Sequence, residues 1–190
     1  MDVDKAAAAV ADLLTALEVD EGEHSARTPE RVARAWADAL TGYGVDPARH
    51  LAVTFPAPSD PGVVILSGIR FRSTCAHHLL PITGTATVAY QPRRTHGARI
   101  VGLSKLARVF ADFAARLQVQ ERLGFQVAST IQDVLNPIGA AVLISAAHGC
   151  ISLRGVEQPT TVTTTQAITG QWDVASPEVR TVHTEHDRHR

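Results

Sequence analysis

The segment TGTATVAYQ, residues 83–91, alternates between two kinds of side chain along its length. Its odd positions from 85 to 89 carry Thr, Thr and Ala, and its even positions from 86 to 90 carry Ala, Val and Tyr. A period of two predicts a β-strand with two different faces. The preceding segment, Val63 to Ser73, is also rich in β-forming residues, so the two segments predict a pair of strands.

Two helices are predicted directly after this pair of strands. Apolar residues recur in a three-four rhythm over 103–117, and a second set recurs at four-residue steps over 119–131. Asn136-Pro137 ends the second helix, because a residue before proline disfavours helical backbone. Two further strands are predicted, at 140–145 and at 160–165, where β-branched or buried apolar residues dominate.

The N-terminal part of the chain contributes two more predicted helices. Residues 3–18 are alanine-rich with apolar residues at helical spacing, and a second helix opens at Thr28-Pro29, a cap residue followed by proline. The order is therefore helix, helix, strand, strand, helix, helix, strand, strand. This order predicts an α+β fold with an antiparallel four-stranded sheet, a helical pair between its strand pairs on one face, and N-terminal helices.

Three regions are expected along the chain. They are an N-terminal helical region over 1–54, a core over 55–170 that begins at the proline-rich connector FPAPSDPG, and a polar tail over 171–190. The end of that tail, HTEHDRHR, is expected to be disordered, because polar and His-rich segments rarely pack.

Composition limits the classes of function. The chain has 190 residues, 45% hydrophobic and 19% charged, which is ordinary for a globular protein. A net charge of −1 gives no sign of a nucleic-acid or membrane surface, and no apolar run approaches the ~20 residues that span a bilayer. Because residues 1–18 alternate charged and apolar positions, we expect no signal peptide and a cytoplasmic location.

Both cysteines of the chain lie beside histidines, in Cys75-Ala76-His77-His78 and in His148-Gly149-Cys150. Two thiolates and one imidazole suit Zn²⁺ and leave a tetrahedral ion one open position for water, as in hydrolytic zinc sites. Inert core cysteines and a disulfide between the two are the alternatives, and a disulfide is disfavoured in the cytoplasm. A metal centre is therefore the preferred interpretation.

The spacing of these residues constrains such a centre. Cys75 and His78 would point to opposite faces of a regular strand, so they share an ion only if the strand bends or ends there. Cys150 would complete the set from a distant strand, and on an extended segment it shares a face with His148. His77 and His148 are then spare imidazoles, whose natural role is proton transfer.

A second group of residues suggests an anion site. Ser104 is the predicted N-cap of a helix, Lys105 follows it, and Arg108 lies one turn later, so a helix N-terminus and two cations lie together. Further candidate cations are Arg31, Arg34 and Arg154. Gln120 and Glu121, in the first turn of the next predicted helix, would offer an amide and a carboxylate to a ligand.

These segments, in this order, resemble GTP cyclohydrolase I. The most specific motifs are CxHHLLP from Cys75, GLSK ending at Lys105 and QVQERL from Gln118, and all matches together span most of residues 28–165. The resemblance implies a tunnelling fold, in which the sheets of neighbouring subunits join into an oligomeric barrel. It also implies that rings stack into a homodecamer with active sites between subunits.

The resemblance further implies a substrate, GTP, and a reaction. Water adds to C8, the imidazole ring opens, C8 leaves as formate, and rearrangement gives 7,8-dihydroneopterin triphosphate. The implied Zn²⁺ ligands are Cys75, His78 and Cys150. The implied proton carriers are His77 and His148. Gln120 and Glu121 would hold the guanine and ribose, and the implied triphosphate contacts are Arg31, Arg34, Ser104, Lys105, Arg108 and Arg154.

One departure from the family pattern bears on the activity. Ala76 stands where the family normally carries Glu, and a methyl group can neither orient a cation nor accept a hydrogen bond. Two alternatives therefore stay open: a diverged paralogue that uses another purine or stops at a ring-opened formamidopyrimidine, and a non-catalytic purine-binding member. The spare histidines argue against the last alternative, because a binder has no need of them.

Overall fold

The computed structural model describes residues 1–19 and 22–189. Asp20 and Glu21, in the predicted loop before the second helix, and Arg190, at the end of the predicted tail, lie outside the described residues. The chain forms two compact units, Met1–Thr41 and Gly42–Arg190. The division lies ahead of the expected position at residue 54, because Leu51, on a short 3-10 helix, is buried in the core of the second unit.

The first unit consists of two helices, α1 (Val3–Ala16) and α2 (Thr28–Ala39), with a 3-10 helix, Gly22–His24, before α2. Asp2 caps α1, because its carboxylate accepts a hydrogen bond from the Lys5 N–H at 3.1 Å. α2 begins at Thr28 with Arg27 in the N-cap position, so the predicted capping position is wrong by one residue.

The second unit is built on a five-stranded sheet. Its strands are β2 (Val64–Cys75), β3 (Pro81–Gln91), β5 (Leu117–Gln118), β6 (Gly139–His148) and β7 (Thr163–Gly170), in the order β5-β2-β3-β6-β7. A separate two-stranded sheet pairs β1 (Thr54–Pro56) with β4 (Arg99–Val101). The helices are α3 (Leu103–Ala114), α4 (Gln120–Leu135), the single turn α5 (Gly149–Ser152) and α6 (Pro177–Asp187). None of the helices in the described part of the chain has the length and apolar character that crossing a bilayer requires.

The mixed helix and strand class is as predicted, but the sheet differs from the expected four strands. Four long strands run antiparallel to their neighbours. The fifth, β5, pairs in parallel with Thr74 and Cys75, and its two residues are too few for a periodic pattern. The last strand lies at Thr163–Gly170 rather than at 160–165, because pairing with β6 continues to Gly170.

One face of the sheet packs against α3 and α4. Even-numbered residues of β6 from 140 to 146 are buried there, together with Val88 and Tyr90 of β3. Phe110 of α3 and Leu123 and Val127 of α4 complete this core. Each such side chain contributes about 1.5–3 kcal/mol by leaving water, so this face anchors the second unit.

The opposite face of the sheet is partly covered by α6. Ala141 and Leu143, odd-numbered residues of β6, pack with Trp172, Val179 and Val182. The expectation of a disordered polar tail is therefore wrong over Pro177–Asp187, and so is the expectation of helices on one face only. Two valines three residues apart give α6 a buried side, which the polar composition of the segment conceals.

A buried histidine also holds α6 to the sheet. His186 is 1% exposed, with Nδ1 2.9 Å from Thr87 Oγ1 and Nε2 2.8 Å from Ser145 Oγ. Thr87 and Ser145 are odd-numbered residues of β3 and β6. The polar face of the alternation predicted in β3 therefore packs against α6 rather than facing water.

Candidate metal centre

The first two candidate ligands lie where β2 ends. The strand ends at Cys75, residues 76–78 form a turn, and Leu79 has a left-handed φ of 58°. The Leu79 N–H donates to Cys75 O at 2.9 Å, and the Cys75 N–H donates to Leu80 O at 2.8 Å. His78 therefore folds back beside Cys75, with its Nδ1 4.0 Å from Cys75 Sγ. The predicted end of the strand at this position is confirmed.

Cys150 reaches the same place on a helical turn rather than on a strand. β6 ends at His148, and α5 begins at Gly149, which lies so close to Pro81 that a Cβ there would be 3.1 Å from the proline ring. The Leu153 N–H donates to Gly149 O at 3.0 Å and closes the turn. The predicted extended segment through Cys150 is therefore wrong.

Cys75, His78 and Cys150 form a group that could hold a metal ion, because their ligand atoms all lie within 4.8 Å of one another. Bond lengths of ~2.3 Å to sulfur and ~2.0 Å to nitrogen place the ligands of a tetrahedral zinc about 3.6 Å apart. The 4.0 Å between Cys75 Sγ and His78 Nδ1 is close to that separation. Both thiols are free, and His78 is exposed, so the group is accessible from one side.

The electrostatics of this group favour a bound cation. Burial raises the pKa of the Cys150 thiol, the neighbouring Cys75 raises it further, and Arg154 lowers it. Two thiolates this close repel each other, and a divalent ion would remove that repulsion by binding both in their deprotonated form. The donor set therefore fits a metal that prefers sulfur and nitrogen ligands.

His148 lies beside the group and forms a hydrogen bond with the oxygen of a buried amide. Its Nε2 is 2.7 Å from Oε1 of Gln120, the first residue of α4. Burial lowers the pKa of His148, and the carboxylate of Glu121 opposes part of that effect. The net result favours a neutral imidazole near neutral pH, which can accept a proton.

The other residues predicted for proton transfer and purine binding are divided between surface and core. Glu121 is exposed in the first turn of α4, and His77 is exposed in the turn after β2, with its ring centroid 6.3 Å from that of His78. Gln120 departs from the expectation of an amide offered to a ligand. Only 2% of it is exposed, and its side chain points to the sheet.

The predicted anion site lies at the N-terminal end of α3, which is the end farther from the metal ligands. Its N-cap is Gly102 rather than Ser104, and Ser104 is exposed while Lys105 is partly buried. The other end of α3 adjoins the metal end of β2, because Ser73 Oγ donates to Ala114 O at 2.7 Å. Ser104 precedes Ala114 by a helical length of about 15 Å. The structure therefore does not gather Ser104 and Lys105 around the metal ligands of the same chain.

The remaining predicted cations are spread over the chain. Arg108 is exposed on α3, and Arg154 is exposed just after α5, close enough to act on the Cys150 thiol. Arg31 and Arg34 are exposed on α2, in the first unit.

Sequence reasoning missed one backbone contact that supports the centre. The Ala76 N–H donates to Gln118 O at 2.9 Å, which ties the turn carrying His77 and His78 to β5. The motif match locates Gln118 but gives no sign of this role. Parallel pairing of β5 with the end of β2 creates the contact, and two-residue strands leave no periodic signal.

Fold and site together define an α+β protein with a Cys₂His cluster able to hold a metal at one end of its sheet, next to a hydrogen-bonded histidine. The family model described as GTP cyclohydrolase I matches residues 6–186. Because that match covers almost the whole sequence, the chain belongs to the GTP cyclohydrolase I family, and the resemblance seen in the motifs is confirmed.

Individual relatives agree with this assignment. GTP cyclohydrolase 1 of Rhodopirellula baltica is 42% identical over 171 residues, which cover 90% of this chain and 72% of that protein. GTP cyclohydrolase 1 of Thermoanaerobacter pseudethanolicus is 40% identical over 171 residues, covering 90% of this chain and 89% of that protein. Among solved structures, the archaeosine synthase QueF-Like in the apo form matches with a TM-score of 0.44 and 17% identity, over 60% of this chain and 96% of that chain.

Proposed function

We propose that this protein is a hydrolase that opens the imidazole ring of GTP, releases formate and forms 7,8-dihydroneopterin triphosphate. Membership of the GTP cyclohydrolase I family and relatives of that name at 40 to 45% identity support the activity. The observation that carries the proposal is the convergence of Cys75, His78 and Cys150, from two distant parts of the chain, beside His148.

Zinc is the metal that we propose for this cluster. Two thiolates and one imidazole are its preferred ligands, and three protein ligands are typical of catalytic rather than structural zinc sites. When bound, the ion would supply Lewis-acid activation of water. We also propose a cytoplasmic location, because Cys75 and Cys150 have to stay reduced to bind a metal.

The chain's own residues account for proton movement and purine binding in this proposal. His148 is kept neutral by burial and oriented by Gln120, so it can accept a proton and return it in a later step. His77, exposed in the turn beside His78, is the second proton carrier. Glu121 has an exposed carboxylate, and we propose that it accepts hydrogen bonds from the guanine N–H groups.

We propose that the triphosphate is bound in part by a neighbouring subunit. Ser104 and Lys105 lie about 15 Å from the metal end of their own α3, so they are better placed to serve the metal centre of another copy. The cationic and hydroxyl groups proposed for the triphosphate are Arg31, Arg34, Ser104, Lys105, Arg108 and Arg154. Lys and Arg suit this role because phosphate oxygens accept charge-assisted hydrogen bonds.

Open sheet edges support such an assembly. Within the described residues, β5 pairs only with Thr74 and Cys75, so most of one edge of β2 carries no partner strand, and β7 forms the other edge. Pairing of β7 with β2 of the next copy would repeat head to tail and close a ring. Leu153, Val156 and Val162, in the segment between α5 and β7, are exposed apolar residues that an interface would cover. We propose a tunnelling-fold barrel on this basis, and a homodecamer from membership of the family.

Incubation of zinc-loaded protein with GTP tests the activity, with formate release and pterin fluorescence followed together. We expect both products from the wild-type protein. A ring-opened product without pterin fluorescence would indicate the truncated reaction that Ala76 suggests. Neither product, with tight purine binding, would indicate a non-catalytic binder and contradict the proposed activity.

A further inference from the structure

The side chain of Gln120 is enclosed where α4, β6 and β7 meet. Its Nε2 lies 3.1 Å from Ile144 O, 3.0 Å from Thr163 O and 3.0 Å from Thr165 Oγ1. Its Oε1 lies 2.7 Å from His148 Nε2. With 2% exposure, the amide has protein partners for both of its polar atoms and is closed off from solvent.

The partners of Nε2 determine how this amide is oriented. The backbone carbonyls of Ile144 and Thr163 can only accept hydrogen bonds, so the group that faces them has to be the NH₂ donor. A flipped amide would set its oxygen against two buried carbonyl oxygens, at a cost of about 1–3 kcal/mol for each unsatisfied group. The oxygen of Gln120 therefore faces His148.

This orientation specifies where His148 carries its proton. Because Oε1 of Gln120 can only accept, His148 Nε2 has to donate, and it carries the hydrogen. In the neutral imidazole Nδ1 then holds the lone pair. Among the residues that the structure describes, Nδ1 of His148 has no hydrogen-bond partner, so Gln120 alone fixes the tautomer.

We propose that Gln120 is a positioning residue, which holds His148 as the Nε2–H tautomer with the lone pair on Nδ1. The catalytic meaning of this inference rests on the proposed function, whereas the tautomer is a property of the chain alone. The inference replaces the expected contact of Gln120 with guanine or ribose, because an amide this enclosed does not reach a ligand.

Solid-state ¹⁵N NMR of metal-free protein labelled at histidine reads the tautomer directly, at a mildly alkaline pH where imidazoles are neutral. His148→Phe assigns the relevant signals among the 9 histidines. Wild-type His148 is expected as the Nε2–H tautomer, and Gln120→Leu is expected to lose that preference. A wild-type His148 protonated at Nδ1 would overturn the inference, whatever the turnover of GTP.

Steady-state kinetics with GTP separate positioning from substrate contact. Gln120→Leu is expected to lower kcat by about 10–100-fold, the size of effect seen when partners that orient site groups are removed, with little change in KM. A raised KM with unchanged kcat in Gln120→Leu would mean a substrate contact and would overturn the inference.

Gln118→Leu is the matched control. Gln118 is a second buried glutamine, 1% exposed, whose Nε2 donates to Phe113 O and Gln126 Oε1 rather than to groups around His148. Its loss is expected to destabilise the fold while the His148 tautomer is kept, with a much smaller fall in kcat. Equal falls in kcat for the two variants would mean that Gln120 contributes only to packing, and would overturn the inference. Absence of turnover in the wild-type protein would contradict the proposed function alone, since the tautomer is read without substrate.

Discussion

Two histidines lie on opposite faces of β6, and they differ in how many of their ring nitrogens form hydrogen bonds with the protein. Toward α3 and α4, His148 ends the strand beside the candidate metal cluster, and one of its ring nitrogens forms a hydrogen bond with Gln120. Toward α6, His186 is buried, and its two ring nitrogens form hydrogen bonds with the hydroxyls of Thr87 and Ser145. An imidazole with both nitrogens engaged joins elements together, whereas one with a single nitrogen engaged keeps the other for chemistry. Period-two alternation along one strand thus separates His148, which we propose for proton transfer, from His186, which joins α6 to the sheet.

This separation predicts different consequences for substitutions on the two faces. Changes at the metal end should remove activity and leave the fold intact. Changes at the α6 face should lower stability and leave the turnover of each folded molecule unchanged. Three predictions test the difference and a fourth concerns the core beneath α3, and they are ordered by expected effect.

Cys150→Ala should have the largest effect, because it removes one of the three candidate ligands found among the described residues. We expect bound zinc to be lost and GTP turnover to fall more than about 10⁴-fold, since activation of water and the proton transfers that follow it are lost together. Metal analysis and formate release measure these losses, and circular dichroism checks the fold. Full zinc content in the variant would contradict the assigned ligand set.

His148→Ala should lower kcat by about 100–1,000-fold, within the range that a positioned general acid or base contributes. The melting temperature should change little, because His148 is only partly buried at the end of the strand. His183→Ala, which removes a histidine on α6 that contacts Gln166, is the matched control and should keep its activity. Equal activity of the two variants would remove His148 from the mechanism.

His186→Ala should act on the opposite face. Thr87 and Ser145 would each lose a buried hydrogen-bond partner, so we expect a loss of about 2–4 kcal/mol in the free energy of unfolding. For a chain of this size that corresponds to a fall in melting temperature of roughly 5–15 °C. Calorimetry measures the shift. A large loss of kcat at a temperature where the variant is folded would show that the two faces are not separable.

Tyr90→Phe should have the smallest effect and a distinctive pH dependence. Burial raises the pKa of Tyr90 above its ordinary value of 10.0, and the hydrogen bond from Val101 N–H lowers it by less. Above pH 10 the unfolded chain therefore ionises first, and stability falls as pH rises toward the folded pKa. The variant should lose about 1 kcal/mol at neutral pH and decline less steeply in alkali. Identical alkaline unfolding curves would show that Tyr90 does not control this decline.

The sequence predicts the metal side of the molecule better than the α6 side. Alternation over residues 83–91 and the apolar rhythm of α3 and α4 follow from period and burial, which a single chain displays. The ligand candidates follow from residue chemistry, because few side chains bind zinc.

Three features could not be predicted, each for a physical reason. β5 depends on pairing with the end of β2 and has no periodicity of its own. The helical turn that carries Cys150 depends on the close contact between Gly149 and Pro81. α6 buries His186 by giving it two hydroxyl partners, and a polar composition hides burial that is achieved through hydrogen bonds.

Zinc K-edge X-ray absorption of the wild-type protein tests the central claim most directly, because it reports the atoms around the ion without any assay. We predict two sulfur scatterers at about 2.3 Å and nitrogen or oxygen scatterers at about 2.0 Å, from Cys75, Cys150, His78 and one exchangeable ligand. A spectrum with fewer than two sulfurs, or one unchanged in Cys150→Ala, would contradict a metal centre built from these three side chains.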